Sequence, residues 1–339
     1  MEAAVGGTMT GIVAQGGRGA ADPDAFLTRT LPMPGLRPRD LLVRIHAVSA
    51  NPVDTKLHAR MGQGESRVLG YDAAGTVEAI GADVTEFAVG ERVYYAGDVT
   101  RDGTNATYHA VDARLVGRMP RGLTFAQAAA LPLTTITAWE ALFDHFGLSA
   151  ESTGTLLVLA GAGGVGSIAL QLAKRLTNLR VIATASRPES RAWALAHGAD
   201  HVVDHHDLVK EVKRAAPLGV DYILAPHTEG NMQAFAEIAV PFGRVAALDS
   251  PTALDILPLK DKSVTWHWVK MFTRPMFETQ DMAAHRRLLD RTAELVEAGT
   301  IRTTMATTLH GITTDTIRRA HLEVLSGRTV GKIVLTATW

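Results

Sequence analysis

The chain contains no cysteine. Disulfides, thiol catalysis, iron–sulfur clusters and every cysteine-ligated zinc site are thereby excluded. Long apolar runs are missing too, since none approaches the roughly 18–20 residues that a membrane-spanning helix needs. Charge of one sign is not in excess. Lys and Arg total 34 against 35 Asp and Glu, a formal net charge of −1, so no global field favours nucleic acid or an anionic membrane. The basic pairs Arg286-Arg287 and Arg318-Arg319 sit in helical patterns and read as solvated faces. Met1 to Thr10 shows no basic segment followed by an apolar one, so no signal peptide is visible and a cytoplasmic protein is expected. No Gly-x-Ser-x-Gly elbow occurs, which leaves a Ser-His-Asp hydrolase without support.

What is present is ordinary globular material. The 339 residues are 46% apolar and 20% charged, enough for two domains with a core each. The first third reads as short strands among glycines, at Leu41–Val48, Ala73–Ile80 and Arg92–Tyr95. Pro32, Pro34 and Pro38 bar helix before the first of these. Such a pattern predicts a small twisted antiparallel barrel. Near residue 124 it changes to helix (Thr124–Ala130, Thr137–Phe146), and from Thr155 strands alternate with helices up to Leu248. That alternation predicts right-handed βαβ units on a parallel sheet. After residue 279 the rhythm is lost again. Helices at Met282–Ala298 and Thr314–Leu325 and a strand at Lys332–Thr336 should return to complete the first domain.

The sharpest motif is the turn Ala160-Gly161-Ala162-Gly163-Gly164-Val165-Gly166, directly after an apolar strand and directly before an amphipathic helix. In Gly161-x-Gly163-x-x-Gly166 the first glycine permits the tight turn and the second admits a pyrophosphate. The third lets helix and strand pack, with the helix N-terminus facing the phosphates. About 20 residues on, an NAD site usually carries a carboxylate for the ribose. Here Ala185-Ser186-Arg187 stands instead, with two donors for a 2′-phosphate, so NADPH is the expected cofactor.

These residues also carry a family resemblance over nearly the whole chain. Gly70-Tyr71-Asp72-Ala73-Ala74-Gly75, then Gly81 and Val84, keep the spacing of a signature that begins Gly-His-Glu in zinc-containing medium-chain dehydrogenases/reductases. The zinc-ligating His falls on Tyr71, its Glu neighbour on Asp72, one ligand cysteine on Asn51 and another near Leu133. The four-cysteine structural loop is absent. The sequence thus resembles the zinc-free, quinone-oxidoreductase branch of that superfamily, with bacterial zinc-type alcohol dehydrogenase-like proteins among its members. Gly331-Lys332-Ile333-Val334-Leu335 matches the usual ending.

The resemblance implies an α/β protein with a GroES-like β-rich catalytic domain over residues 1–130 and 279–339. A Rossmann domain, a doubly wound parallel sheet, is implied over 131–278, with the active site in the cleft and a homodimer joined through the Rossmann sheets. It also implies cofactor contacts at Thr135, Leu248 and Lys332 besides the glycine turn, Ser186, Arg187 and His205. Catalytic roles fall on Asn51 and Tyr71, as hydrogen-bond donors to an oxygen that gains charge. Without a zinc Lewis acid, simple alcohol oxidation is disfavoured. Hydride addition from NADPH to a quinone or an α,β-unsaturated carbonyl is favoured. A carbonyl or enoyl-thioester reductase, or an NADPH-binding protein with little catalysis, are the alternatives.

Three clusters keep two readings each. Asp200 to Asp207, with His201, His205 and His206, offers metal-ligand residue types, but a polar strand end with His205 beside the adenine is preferred. Trp266-His267-Trp268 reads as a dimer-edge strand in preference to a substrate clamp. His58 and His109 lack a partner in sequence and read as structural rather than as bases.

Overall fold

The computed structural model describes residues 6–339. Met1–Val5, the start of the stretch in which no signal peptide is visible, lies outside the described residues. Contacts divide the chain into two units, Met1–Leu133 with Phe272–Trp339, and Thr134–Met271. The sequence placed these divisions at 130/131 and 278/279.

The first unit opens with β1 (Thr8–Gln15), β2 (Phe26–Pro32) and β3 (Asp40–Ser49). A helix, α1 (Pro52–Arg60), follows, then β4 (Ser66–Val68), β5 (Ala73–Ile80), β6 (Arg92–Tyr95), β7 (Tyr108–Asp112) and β8 (Val116–Arg118). Asn51 starts α1 in an extended conformation, Pro52 supplies a fixed φ in the first turn, and the Asp54 carboxylate accepts from the Asn51 N–H at 2.7 Å. The inward face of α1 is polar, with Asp54, Thr55 and His58 buried. Gly70 sits at φ +104°, where a Cβ would also lie 2.6 Å from Asn105 Oδ1, so only glycine fits before Tyr71. Thr124 then caps α2 (Phe125–Ala129) through the N–H of Gln127, as its Thr-x-x-Gln spacing requires.

After α3 (Pro132–Trp139) and a single π-helical turn at Glu140–His145, the second unit takes up strict alternation. Its strands are β9 (Thr155–Val158), β10 (Arg180–Thr184), β11 (His201–Val203), β12 (Val220–Ala225), β13 (Ala239–Ala247) and β14 (Thr265–Trp268). Between them lie α4 (Gly164–Leu176), α5 (Pro188–Ala196), α6 (Leu208–Ala215) and α7 (Met232–Ile238). The strands form one parallel sheet in the order β11-β10-β9-β12-β13-β14, the doubly wound dinucleotide-binding order. Leu157, Ile182, Val203, Ile223, Phe235 and Val245 are among the fully buried side chains of its core.

The chain then returns to the first unit with α8 (Thr273–Met276), α9 (Ala284–Glu297), β15 (Met305–His310), α10 (Thr314–Leu325) and β16 (Lys332–Thr336). Strand β16 pairs antiparallel with the end of β3, Val334 opposite Ser49. A seven-stranded sheet results, with β15-β16-β3-β5-β6-β8 in sequence along it and β7 also on β3; β2-β1-β4 form a second, smaller sheet. The β-rich unit expected from the N-terminal third therefore needs both chain ends. No helix among the described residues is long and apolar enough to cross a membrane.

Candidate functional site

In the first unit the end of β3, the start of α1, the segment before β5 and the first residue of β16 bring four polar side chains into one buried cluster. Asp72 is its centre, fully buried. One carboxylate oxygen accepts from the Leu133 N–H at 2.8 Å; the other accepts from Ser49 Oγ and Asn51 Nδ2, each at 2.9 Å. Lys332 Nζ stands 3.2 Å from that second oxygen and donates to Ala50 O at 2.8 Å and to Asn51 Oδ1. Burial pushes the Asp72 carboxyl up and the Lys332 ammonium down from their ordinary values, against the attraction between them.

The Lys332 ammonium is buried and engaged with Asp72, Asn51 and Ala50. The Asn51 amide nitrogen serves Asp72 and Ser49 O. Sequence reasoning missed this ion pair because its partners lie far apart in the chain.

Tyr71 is different. It is fully buried, its ring meets Phe272 edge-on at 5.7 Å, and its hydroxyl has no hydrogen-bond partner. Burial raises its pKa well above the ordinary tyrosine value, so the hydroxyl keeps its proton. A buried donor left unmatched is uncommon and calls for an explanation. A zinc ion does not fit at these positions. Neither an imidazole nor a thiolate is offered by Asn51, Tyr71 or Leu133, and the one carboxylate has both oxygens hydrogen-bonded with an ammonium beside it.

Asp54 adds a second strained carboxyl. One oxygen takes the Asn51 N–H, the other is buried without a partner, and burial pushes the group up to about 7. Its folded pKa exceeds the unfolded value of about 3.9, so the native state holds the extra proton between those two values. This contribution to stability is complete below the lower value and declines as pH rises towards 7. Asp54→Asn should therefore gain on the wild type by roughly 2–3 kcal/mol between about pH 5 and pH 8. Thermal melts at the two pH values measure the gap; a gap that stays constant would rule out the shifted carboxyl.

His58 and His109 are held internally, as read from the sequence. His58 Nε2 lies 3.0 Å from Gln15 O, and His109 joins Tyr95 Oη at 3.1 Å to Asp102 O at 2.9 Å.

In the second unit the Gly161–Gly166 turn separates the reasons for its glycines. A Cβ on Gly161 would lie 2.6 Å from Ala183 Cβ, and one on Gly166 would lie 2.5 Å from Ala160 O. Internal packing thus demands both. At Gly163 a Cβ would meet only Ala160 O, at 3.3 Å, so the space outside it is open to a ligand. Ala160 adopts φ +51° to enter the turn, and Thr184 Oγ1 accepts from its N–H at 2.9 Å. Ser167 Oγ donates to Gly163 O and accepts from Trp193 Nε1 at 2.8 Å, fixing the first turn of α4. Gly164 and Val165 open that helix, half-buried. The cradle suits a dinucleotide pyrophosphate.

Ser186 and Arg187 follow β10, with Arg187 bound to Glu189 at 2.5 Å. The Ala185 N–H donates to Val203 O at 3.0 Å, which sets the ends of β10 and β11 side by side, and His205 opens the short 3-10 turn that follows β11. Thr135 is buried and its hydroxyl has no partner. Leu248 closes β13 with its N–H on Ala225 O. Sequence reasoning missed Arg191, whose guanidinium ties Ala185 O (3.0 Å) to Val202 O (2.8 Å) and so braces the same edge.

A GroES-like unit and a doubly wound nucleotide-binding unit together define an alcohol-dehydrogenase-type oxidoreductase. The comparisons agree. A zinc-binding dehydrogenase model matches residues 164–288, and an alcohol dehydrogenase GroES-like domain model matches residues 37–140. A zinc-type alcohol dehydrogenase-like protein of Staphylococcus aureus (strain MSSA476) is 40% identical over 303 residues, 87% of this chain and 90% of that one. A Rhizobium etli CFN 42 protein, assigned in its crystal structure as a zinc-dependent alcohol dehydrogenase, superposes with a TM-score of 0.93 at 43% identity, over 98% of this chain and 99% of that one. A mycobacterial protein solved in complex with NADPH gives 0.83 at 26% identity, over 97% and 99%. The chain belongs to the medium-chain dehydrogenase/reductase superfamily, together with the zinc-type alcohol dehydrogenase-like proteins.

Proposed function

We propose that this oxidoreductase is an NADPH-dependent reductase acting on a quinone or an α,β-unsaturated carbonyl without zinc. The carrying observation is the Tyr71 hydroxyl, buried, protonated and unmatched at the position where zinc-containing relatives place a ligand histidine. Bound NADPH would supply a hydride. The substrate oxygen that gains negative charge then needs a donor rather than a metal, and Tyr71 provides one. Asn51 and Lys332 act indirectly, by fixing Asp72 in the segment that carries Tyr71. On the cofactor side, Gly161 to Gly166 cradle the pyrophosphate and the unmatched Thr135 hydroxyl takes a further hydrogen bond. Leu248 packs at the strand ends, and His205 lies towards the adenine.

The test is NADPH consumption by the purified protein with a panel of quinones, enones and aldehydes, in the presence of a chelator. Turnover of quinones or enones that survives the chelator is expected. Turnover of aldehydes alone, or loss of activity on chelation, would refute the reading.

Cofactor choice rests on Ser186 and Arg187, with no carboxylate at the end of β10 to repel a 2′-phosphate. A hydrogen bond to a charged group contributes roughly 1.5–3 kcal/mol, and partial exposure of Arg187 holds its share near the lower end. Arg187→Ala should weaken NADPH by about tenfold and leave NADH nearly unchanged. Fluorescence titration of both cofactors decides; equal losses would mean that the phosphate lies elsewhere.

Strand β14 is one edge of the parallel sheet, with Trp268 54% exposed and its ring edge-on to Trp266 at 5.4 Å. An unpaired aromatic edge invites pairing, and a second copy of this chain is the proposed cover. Sedimentation at micromolar concentration should find a dimer that Trp268→Lys dissociates; a monomeric wild type would contradict it.

A further inference from the structure

The metal-ligand residue types of Asp200 to Asp207 do not all assemble in one place. His201 is held apart by Arg180 of β10, which meets its Nε2 at 2.8 Å. The convergence lies instead on three consecutive residues, Asp204, His205 and His206. Asp204 accepts from the His206 N–H at 3.0 Å and so closes the short 3-10 turn. The same carboxylate oxygen lies 2.7 Å from His206 Nδ1 and 3.8 Å from His205 Nδ1, with the two rings 4.1 Å apart. Both imidazoles thus turn a nitrogen inward to one oxygen, although both rings are exposed and free to face water. All three donor atoms fall within 4.8 Å of one another.

Neighbouring ligand atoms on a metal with bonds of about 2.0–2.2 Å stand about 3–3.4 Å apart, and the two separations bracket that spacing. The nearby lysines are engaged elsewhere, Lys174 on Asp200 and Lys210 on Asp207. Two imidazoles and one carboxylate suit a borderline first-row ion and not the oxygen-seeking Mg²⁺ or Ca²⁺. We infer that Asp204, His205 and His206 form a surface site for a divalent transition-metal ion such as Zn²⁺ or Ni²⁺, with water completing the coordination. Binding replaces the proton between Asp204 and His206, which moves to Nε2 or is released. The site is separate from Asn51 and Tyr71 and shares His205 with the adenine side of the proposed cofactor site.

The experiment uses the untagged full chain, stripped with a chelator, dialysed, and titrated calorimetrically with Zn²⁺, Ni²⁺ and Mg²⁺. Uptake of one Zn²⁺ or Ni²⁺ per chain is expected, with none of Mg²⁺. His206→Ala and His205→Ala should each abolish it, while Tyr71→Phe should leave it intact. The exposed histidines make both variants safe for folding, and a matched thermal melt checks that. X-ray absorption of the nickel-loaded protein should show only nitrogen and oxygen ligands. No stoichiometric uptake, or uptake unchanged in His206→Ala, would overturn the site.

Discussion

Lys332→Met is expected to destabilise the protein by about 3–5 kcal/mol, the usual result of removing one partner from a buried ion pair. Asp72 is then left buried with three hydrogen bonds but no cation. For a unit of this size the melting temperature should fall by about 10 °C. The pH dependence separates charge from packing. In the variant, Asp72 can relieve its burial only by taking up a proton, and its folded pKa rises further above the unfolded value. The deficit against the wild type should therefore shrink as pH falls. Differential scanning calorimetry at neutral and acid pH measures it, and a deficit equal at both would mean that only the lysine stem mattered.

Tyr71→Phe should do the reverse, lowering activity while sparing the fold. Losing a single donor to a charge-bearing oxygen lowers kcat by roughly 10²–10³-fold. The hydroxyl has no partner inside the protein, so its removal breaks no internal hydrogen bond. Stability should stay level or rise slightly, because a buried unsatisfied group is unfavourable. Steady-state kinetics on a quinone or enone, beside a thermal melt, reads both quantities. A variant with full kcat would take Tyr71 out of the reaction; one that melts early would make it a structural residue.

Much of the second unit was legible because its signals are local. An apolar strand, a glycine turn and an amphipathic helix follow one another within Thr155–Leu176, and the strands that come after repeat the pattern. Strand β16 and helix α10 were read to their end residues for the same reason. The first unit hid more. Helix α1 buries Asp54, Thr55 and His58 rather than an apolar stripe, so periodicity could not announce it. Strands β1 and β2 are half-exposed, carry two threonines each, and were missed. At the site, motif spacing located Asn51, Tyr71 and Lys332 but could not say what each touches. Asn51 and Lys332 proved to be bound to one another through a pairing that only the return of β16 creates.

That return has a consequence for biosynthesis. The second unit is continuous, so each of its strands meets its partners as the chain leaves the ribosome. The edge of β3 at Ala47–Ser49 must instead wait for β16, through the synthesis of everything between them. Until then it presents open backbone donors and acceptors, and Asp72 waits with no cation to face. The nascent protein thus carries a sticky, incomplete unit beside one able to finish early, and its exposure to misassembly ends only with the last strand.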